Sequence, residues 1–423
     1  MADAQENPAS VKSTVLGLRR EPIETREFMT ERLYYADSYL KEFSGTVVEC
    51  RQMGKNAAVI LDRTAFYPES GGQPNDTGVL QGANILNIIE DDSGAILHIL
   101  DRELASGIAL GRIDWLRRFD HMQQHTGQHI LSQAFLHVAK APTLSFHMGS
   151  ETSTIDIELA QPSASQMEEA QNLATNIVFE NRAVRILMTD RDSLSSLGVR
   201  KDTQREGTIR VVDIAGFDRS PCGGTHVRST GEIGLIFILG FERYKGGARV
   251  EFVAGGRAMG LLQKDHELLK QLARIQSAAP ESLPALAEKS AQERASLIRE
   301  NELLREKLLE MESAELLQNA IKTNNGLLIL MACKDRKLEE LKSLAQKLTA
   351  NAGVLVILGT TDACQIVVAR SKDLPGNCGE AVKKAASELG GKGGGRPELA
   401  QAGGFPPGTY AAWTEALRKY MTT

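Results

Sequence analysis

The stretch HMQQHTGQHILSQAF, His121 to Phe135, places three of the chain's eight histidines within its first nine residues. His125 and His129 are four apart, a spacing that stacks two side chains on one face of a helix, β-carbons about 5–6 Å apart. Ile130, Leu131, Ala134 and Phe135 continue with helical spacing, which predicts an amphipathic helix over 123–138. Two imidazoles on one helix face make half of a tetrahedral metal shell. The other half is expected in SPCGGTHVRSTGEIG, residues 220–234, where Cys222 and His226 are again four apart with Gly223 and Gly224 between them. The glycines allow a tight loop that turns both side chains toward one point. Together the two pairs predict one zinc ion held by His125, His129, Cys222 and His226, since thiolate and imidazole are both good zinc ligands. HTGQH lacks the glutamate of H-E-x-x-H, which disfavours a zinc peptidase.

The rest of the chain bounds the fold. At 423 residues it is long enough for two to four domains. Apolar residues make up 42% and charged residues 24%, enough for several packed cores. A net charge of −5 argues against a non-specific nucleic-acid coat, so any RNA contact must use local basic patches. The five cysteines are scattered and odd in number, which fits a reducing cytoplasm rather than a disulfide framework. No apolar run reaches the roughly 18–20 residues of a membrane span, and the acidic N-terminus MADAQENPAS shows no secretory signal.

Hydrophobic patterning predicts an α+β chain in five parts. Residues 1–27 form a polar tail. Residues 28–113 carry short strands (TVVEC, AAVILD, GVLQG, ILNIIEDDSG, AILHIL) at the spacing of a small β-barrel. Residues 114–257 form an α+β, zinc-containing domain. Residues 258–322 form a helical linker in which Leu297, Leu304 and Met311 recur at sevens, the start of a coiled-coil seam. One amphipathic helix packed on its own protein is the competing reading of that seam. Residues 323–423 form an α/β domain containing the glycine run GGKGGGRPELAQAGG.

One further motif carries chemistry. In DRTAFYPESGGQPNDTG, residues 62–78, Gly71, Gly72, Gln73 and Pro74 make a turn where backbone amides can approach a ligand. A tight barrel corner would leave the same trace. Read together, FYPESGGQPNDTG, HTGQH, PCGGTH and the C-terminal glycine run resemble the editing half of alanyl-tRNA synthetases. They are similar in particular to the free-standing relatives of that half, the long-form AlaX alanyl-tRNA editing proteins, over residues 28–423. Only about 27 residues precede the barrel, so no aminoacylation domain is expected. A DHH-type phosphoesterase shares the C-terminal domain type, but no Asp-His-His triplet is present.

The resemblance implies a zinc-dependent hydrolase that clears serine, and sometimes glycine, from tRNA(Ala). Thr64 resembles the threonine that reads the serine hydroxyl. His147 lies where the synthetases commonly show Gln within Q-x-G-S, and could orient water or the substrate amine. Gln128, a third catalytic candidate, and Gln73 could meet the tRNA end, with Gly71 and Gly72 beside the substrate. His121 reads as a supporting residue rather than a ligand. Lys392 and Arg396 invite a phosphate-loop reading, but the run does not match G-x4-G-K-[ST]. The resemblance instead implies RNA contact and homodimerisation there, with Lys383, Lys384, Arg418 and Lys419 adding charge. Two competing readings stand: a non-catalytic tRNA-binding protein with a structural zinc, and a deacylase of another mischarged tRNA.

Overall fold

Residues 29–201, 203 and 207–422 are described by a computed structural model. The expected N-terminal tail lies outside them. The chain divides into two compact units, Met1–Gln271 and Leu272–Thr423.

The first unit opens with a closed six-stranded barrel. Going round it, the strands are Glu42–Met53, Asn56–Leu61, Ile96–Leu100, Ala83–Glu90, Gly78–Leu80 and Gly107–Ile113. Alternating side chains fill its interior, among them Val59, Leu61, Leu80, Ile88, Ile96 and Leu100. Each such buried aliphatic group contributes about 1.5–3 kcal/mol. The last strand, GIALGRI, escapes the sequence reading because two glycines interrupt its pattern.

Helix Trp115–Ala139 follows, N-capped by the Asp114 side chain, which accepts from Arg117 N. That cap starts the helix well before the expected residue 123. Ile130, Leu131, Ala134 and Phe135 pack against helix Ala164–Phe179 and the sheet residues Ile155, Val250 and Phe252. Gly127 lets the helix lie close to the sheet: a Cβ there would sit 2.9 Å from Ala254 Cβ. A mid-helix glycine costs roughly 1 kcal/mol against alanine, and here the close packing requires it. Two antiparallel sheets complete the unit. One runs Ile236–Tyr244, Gly247–Ala254, Ser153–Ile157, Thr143–Met148; the other runs Val184–Thr189, Ile209–Ile214, Asp218–Pro221.

Barrel and helix are joined by a buried ion pair. Arg118 and Asp76 have fully buried side chains. Arg118 Nε donates to both Asp76 oxygens at 3.0 and 3.1 Å, while Nη1 reaches Ser38 O at 2.8 Å and Nη2 reaches Ala65 O at 2.6 Å. Such a pair fixes geometry more than it adds net stability, because desolvation offsets most of the Coulomb gain.

The second unit contains helix Leu283–Gln318. Pro284 sits in its first turn, where proline is tolerated, so it begins the helix instead of breaking it. A six-stranded sheet follows, ordered Ile321–Thr323, Gly326–Cys333, Val354–Thr360, Gln365–Arg370, Leu399–Gly403, Lys392–Gly395. Helix Leu338–Thr349 covers one face through Leu341, Leu344 and Leu348. Helices Cys378–Leu389 and Tyr410–Thr422 cover the other, where Trp413 is fully buried. The cysteines are free thiols. Among the described residues no helix is long and apolar enough to cross a membrane.

Candidate metal centre

His125 and His129 project from helix Trp115–Ala139 toward the loop after strand Asp218–Pro221, which brings Cys222 and His226. One ligand atom from each of the four lies within 4.8 Å of all the others. Cys222 Sγ is 3.4 Å from His125 Nε2 and 3.3 Å from His226 Nε2. A tetrahedral zinc with ordinary bond lengths sets its nitrogen and sulfur ligands roughly 3.5 Å apart, so this donor set fits that ion.

The opposite edge of each imidazole is anchored. His125 Nδ1 meets Gln73 Oε1 at 2.8 Å. The Gln73 amide is itself oriented, since Thr225 N donates to Oε1 at 3.2 Å and Nε2 donates to Thr225 Oγ1 at 2.9 Å. His129 Nδ1 donates to Asp218 Oδ2 at 3.0 Å, and Asp218 Oδ1 accepts from Arg200 Nε at 2.7 Å. His226 Nδ1 meets Thr126 Oγ1 at 3.1 Å, an oxygen that also accepts from Val227 N. A proton held at each Nδ1 leaves the three Nε2 lone pairs converging on one point, the outer-shell arrangement that fixes tautomer and raises ligand basicity.

Electrostatics favour the same state. Burial pushes His125 down to about 3 and His226 well below its ordinary value, so both are neutral donors at neutral pH. Burial opposes a Cys222 thiolate, but His129 and the Gly224 amide outweigh it and the thiol pKa falls. At Asp218 burial likewise opposes the charge, yet the His129 hydrogen bond and Arg200 hold the carboxyl at about 2.

The centre stands on the wall of a cleft of about 360 Å³, lined also by Tyr34, Tyr35, Tyr67, Gly71, Gln128, Phe146, Lys201 and Arg210. The residues expected from the sequence are placed as follows. Thr64 is fully buried beside the barrel, with its Oγ1 2.8 Å from His98 Nε2 and accepting from Phe66 N at 3.1 Å. It is not among the cleft residues. His147 is exposed on strand Thr143–Met148 and does not line the cleft either; its neighbour Phe146 does, packing on the His125 ring at 5.4 Å. Gln73 is fully buried and serves His125 instead of facing a ligand. The glycine turn makes this possible: Gly72, at φ 84°, lies so close to Phe146 that a Cβ would sit 2.4 Å from its carbonyl oxygen. Of the catalytic and substrate-binding candidates, Gln128 and Gly71 reach the cleft. Lys392 and Arg396 are exposed in the second unit. Their glycine run forms the strands Lys392–Gly395 and Leu399–Gly403 rather than a phosphate cradle; a Cβ at Gly393 would strike Gln401 O at 2.5 Å and Val382 at 2.6 Å.

The sequence reading missed Thr126, Arg200, Arg210 and Asp218. Arg210 and Asp213 did leave a trace, as charged residues inside a six-residue strand, IRVVDI, that is buried throughout. Asp218 left none, because only the pairing of strand Asp218–Pro221 brings it to His129.

Residues 209–252, which bracket Cys222 and His226, match the family described as the threonyl and alanyl tRNA synthetase second additional domain. Residues 5–112 match class II (A) tRNA synthetases, and residues 324–423 the DHHA1 domain. The chain is 32% identical over 389 residues to the alanyl-tRNA editing protein AlaX-L of Pyrococcus horikoshii, covering 88% of this chain and 94% of that protein. It is 35% identical over 389 residues to the alanine–tRNA ligase of Pyrococcus furiosus, where it spans only 42% of the ligase. Among solved structures, the C-Ala domain of Aquifex aeolicus alanyl-tRNA synthetase aligns with 25% of this chain and 98% of that domain, at 25% identity and a TM-score of 0.23.

Proposed function

The chain belongs to the family of the alanyl-tRNA editing protein AlaX-L, and from that membership we propose that it hydrolyses the ester joining serine, and also glycine, to tRNA(Ala), with one zinc ion held by His125, His129, Cys222 and His226. The observation that carries this reading is the converging four-donor set on the wall of an open cleft. A purely structural zinc needs no such cleft. Zinc, when bound, supplies a Lewis acid able to polarise an ester carbonyl.

The chain's own residues do the rest. Gln73, Asp218 and Thr126 hold the three imidazoles in place. Half-buried Tyr35 offers an aromatic face to the terminal base of the tRNA, and exposed Lys201 offers charge to its phosphates. Serine differs from alanine by one hydroxyl, which a first site rejects weakly but a second site can demand by hydrogen bonding. Gln128 suits that task. Its Nε2 donates to Ser132 Oγ at 2.8 Å, and Ser132 Oγ also accepts from Thr143 Oγ1 at 2.7 Å. The amide is thereby oriented, with Oε1 left to accept from the serine hydroxyl.

The second unit would contact the tRNA body through Lys383, Lys384, Lys392, Arg396, Arg418 and Lys419. Leu297, Leu304 and Met311 are 63%, 51% and 71% exposed on helix Leu283–Gln318, which suits pairing of two such helices in a cytoplasmic homodimer; a monomer by sedimentation at micromolar concentration would dismiss the dimer. The function itself is tested by measuring zinc content and Ser-tRNA(Ala) hydrolysis on the same protein, wild type and Cys222→Ala. One zinc per chain with hydrolysis, both lost in the variant, is expected. Zinc-replete wild type without hydrolysis would leave a binding protein with a structural metal.

A further inference from the structure

Buried Arg118 pairs with Asp76, and partly buried Arg200 with Asp218. Arg210 has no such partner. It is 6% exposed, and among the described residues no carboxylate pairs with it. Its Nε donates to Tyr35 O at 3.2 Å and its Nη1 to Cys222 O at 2.7 Å, with the guanidinium 5.4 Å over the Tyr35 ring. Its Nη2 is buried with no hydrogen-bond partner. A guanidinium stays protonated in proteins; the Cys222 thiolate offsets part of its charge, but a buried N–H left without an acceptor is still costly. An unsatisfied buried donor on a residue lining the cleft, tied to the backbone of a candidate metal ligand, calls for an absent partner.

The chemistry of that partner follows from the reaction. An aminoacyl ester presents no negative charge at its scissile carbonyl before reaction. During hydrolysis the water oxygen bonds to the carbonyl carbon, the π pair moves onto the carbonyl oxygen, and one water proton leaves to solvent. The pair then returns, the bond to the ribose oxygen breaks, and that oxygen takes a proton from solvent. The remaining acid proton is lost, leaving free amino acid as a carboxylate. Negative charge is thus present only in the tetrahedral species and the product. An RNA phosphate is the other anion within reach, but it is bulky and permanently charged, and it suits exposed Lys201 better than a side chain this deeply buried.

We propose that Arg210 is a catalytic residue of this cleft, its free Nη2 donating to the carbonyl oxygen as negative charge develops there and then to the carboxylate of the released amino acid. The proposal rests on the hydrolase reading above. A donor engaged only when charge develops raises kcat and not substrate affinity.

The test uses full-length zinc-replete protein, wild type, Arg210→Met and Arg210→Lys. For each, kcat and KM are measured on Ser-tRNA(Ala), together with zinc content and inhibition by L-serine and by L-serinamide, which lacks the carboxylate. Arg210→Met should lose about 10²- to 10³-fold in kcat, with KM and zinc content little changed. L-serine should inhibit wild type better than L-serinamide does, and that preference should vanish in Arg210→Met. Arg210→Lys, which keeps the charge without the fork, should fall between the two and supplies the readout if the methionine variant does not fold. A raised KM with unchanged kcat would overturn the proposal in favour of an RNA phosphate. Zinc loss in both variants would overturn it in favour of structural support for the Cys222 loop. If wild type hydrolyses nothing, the functional reading fails first; calorimetric L-serine binding that depends on Arg210 would still support the anion site, and its absence would dismiss that site too.

Discussion

Replacing Asp218 with alanine should weaken zinc binding by about 10- to 100-fold, the usual cost of losing a partner that orients a metal-bound histidine. The structure supports that magnitude. Asp218 is fully buried at its side chain, accepts from His129 Nδ1 at 3.0 Å and from Arg200 Nε at 2.7 Å, and accepts from Ser220 Oγ at 3.1 and 3.2 Å. Its carboxyl, held at about 2 by His129 and Arg200 against the opposing effect of burial, is ionised throughout the neutral range. An anionic acceptor at Nδ1 makes Nε2 a better donor and holds the ring toward Cys222. Truncation removes both effects and strands the Arg200 charge, a loss of about 1.4–2.7 kcal/mol in metal affinity. Asp218→Asn keeps an acceptor oxygen without the charge and should lie at the lower end. The assay is competition for zinc against a fluorescent chelator at neutral pH. If Asp218→Ala binds zinc as tightly as wild type while Cys222→Ala does not, the anchoring argument is wrong.

Other outcomes follow from the same geometry. Gly224→Ala would place a Cβ 2.2 Å from His125 Cε1 and 2.4 Å from Nδ1, so it should lower zinc stoichiometry with all four ligands retained in sequence; full occupancy would contradict the ligand placement. Arg118→Met leaves Asp76 buried and uncompensated, at a cost of about 3–5 kcal/mol and roughly 6–20 °C in Tm, with partial recovery on adding Asp76→Asn; an unchanged Tm would count against the buried pair. Thr64→Val should cost about 1–3 kcal/mol by orphaning His98 and the Phe66 amide, with the preference for serine over alanine intact; altered preference would bring Thr64 back to the substrate. Burial pushes His98 down to about 4. Between pH 6.5 and 4 the unfolded chain therefore takes a proton that native His98 refuses, and stability should fall with pH by about 3 kcal/mol from this residue. His98→Asn should flatten that slope in urea titrations at several pH values, and an unaltered slope would rule His98 out as its source.

What the sequence disclosed and what it hid follow physical lines. The four candidate ligands were legible because helix and loop geometry impose a four-residue spacing on each pair. The barrel showed itself through alternation, except where the glycines of Gly107–Ile113 blanked it. Gln73 was legible as part of a turn but not in its role, since contact with His125 depends on how the barrel seats against the helix. The placement of Thr64 was hidden for the same reason: Tyr67 and Pro68, three and four residues on, line the cleft, while its own side chain meets His98. In the C-terminal run, glycines required by close packing left the same trace as glycines that cradle an anion. Asp218 and Arg210 are long-range partners, and only the assembled fold reveals them.

The most direct test of the account is the hydrolysis rate of Ser-tRNA(Ala) beside that of correctly charged Ala-tRNA(Ala), using zinc-replete wild-type protein at equal enzyme concentration. Rapid loss of serine with alanine spared is predicted. Equal rates on both, or no hydrolysis of either, would contradict it.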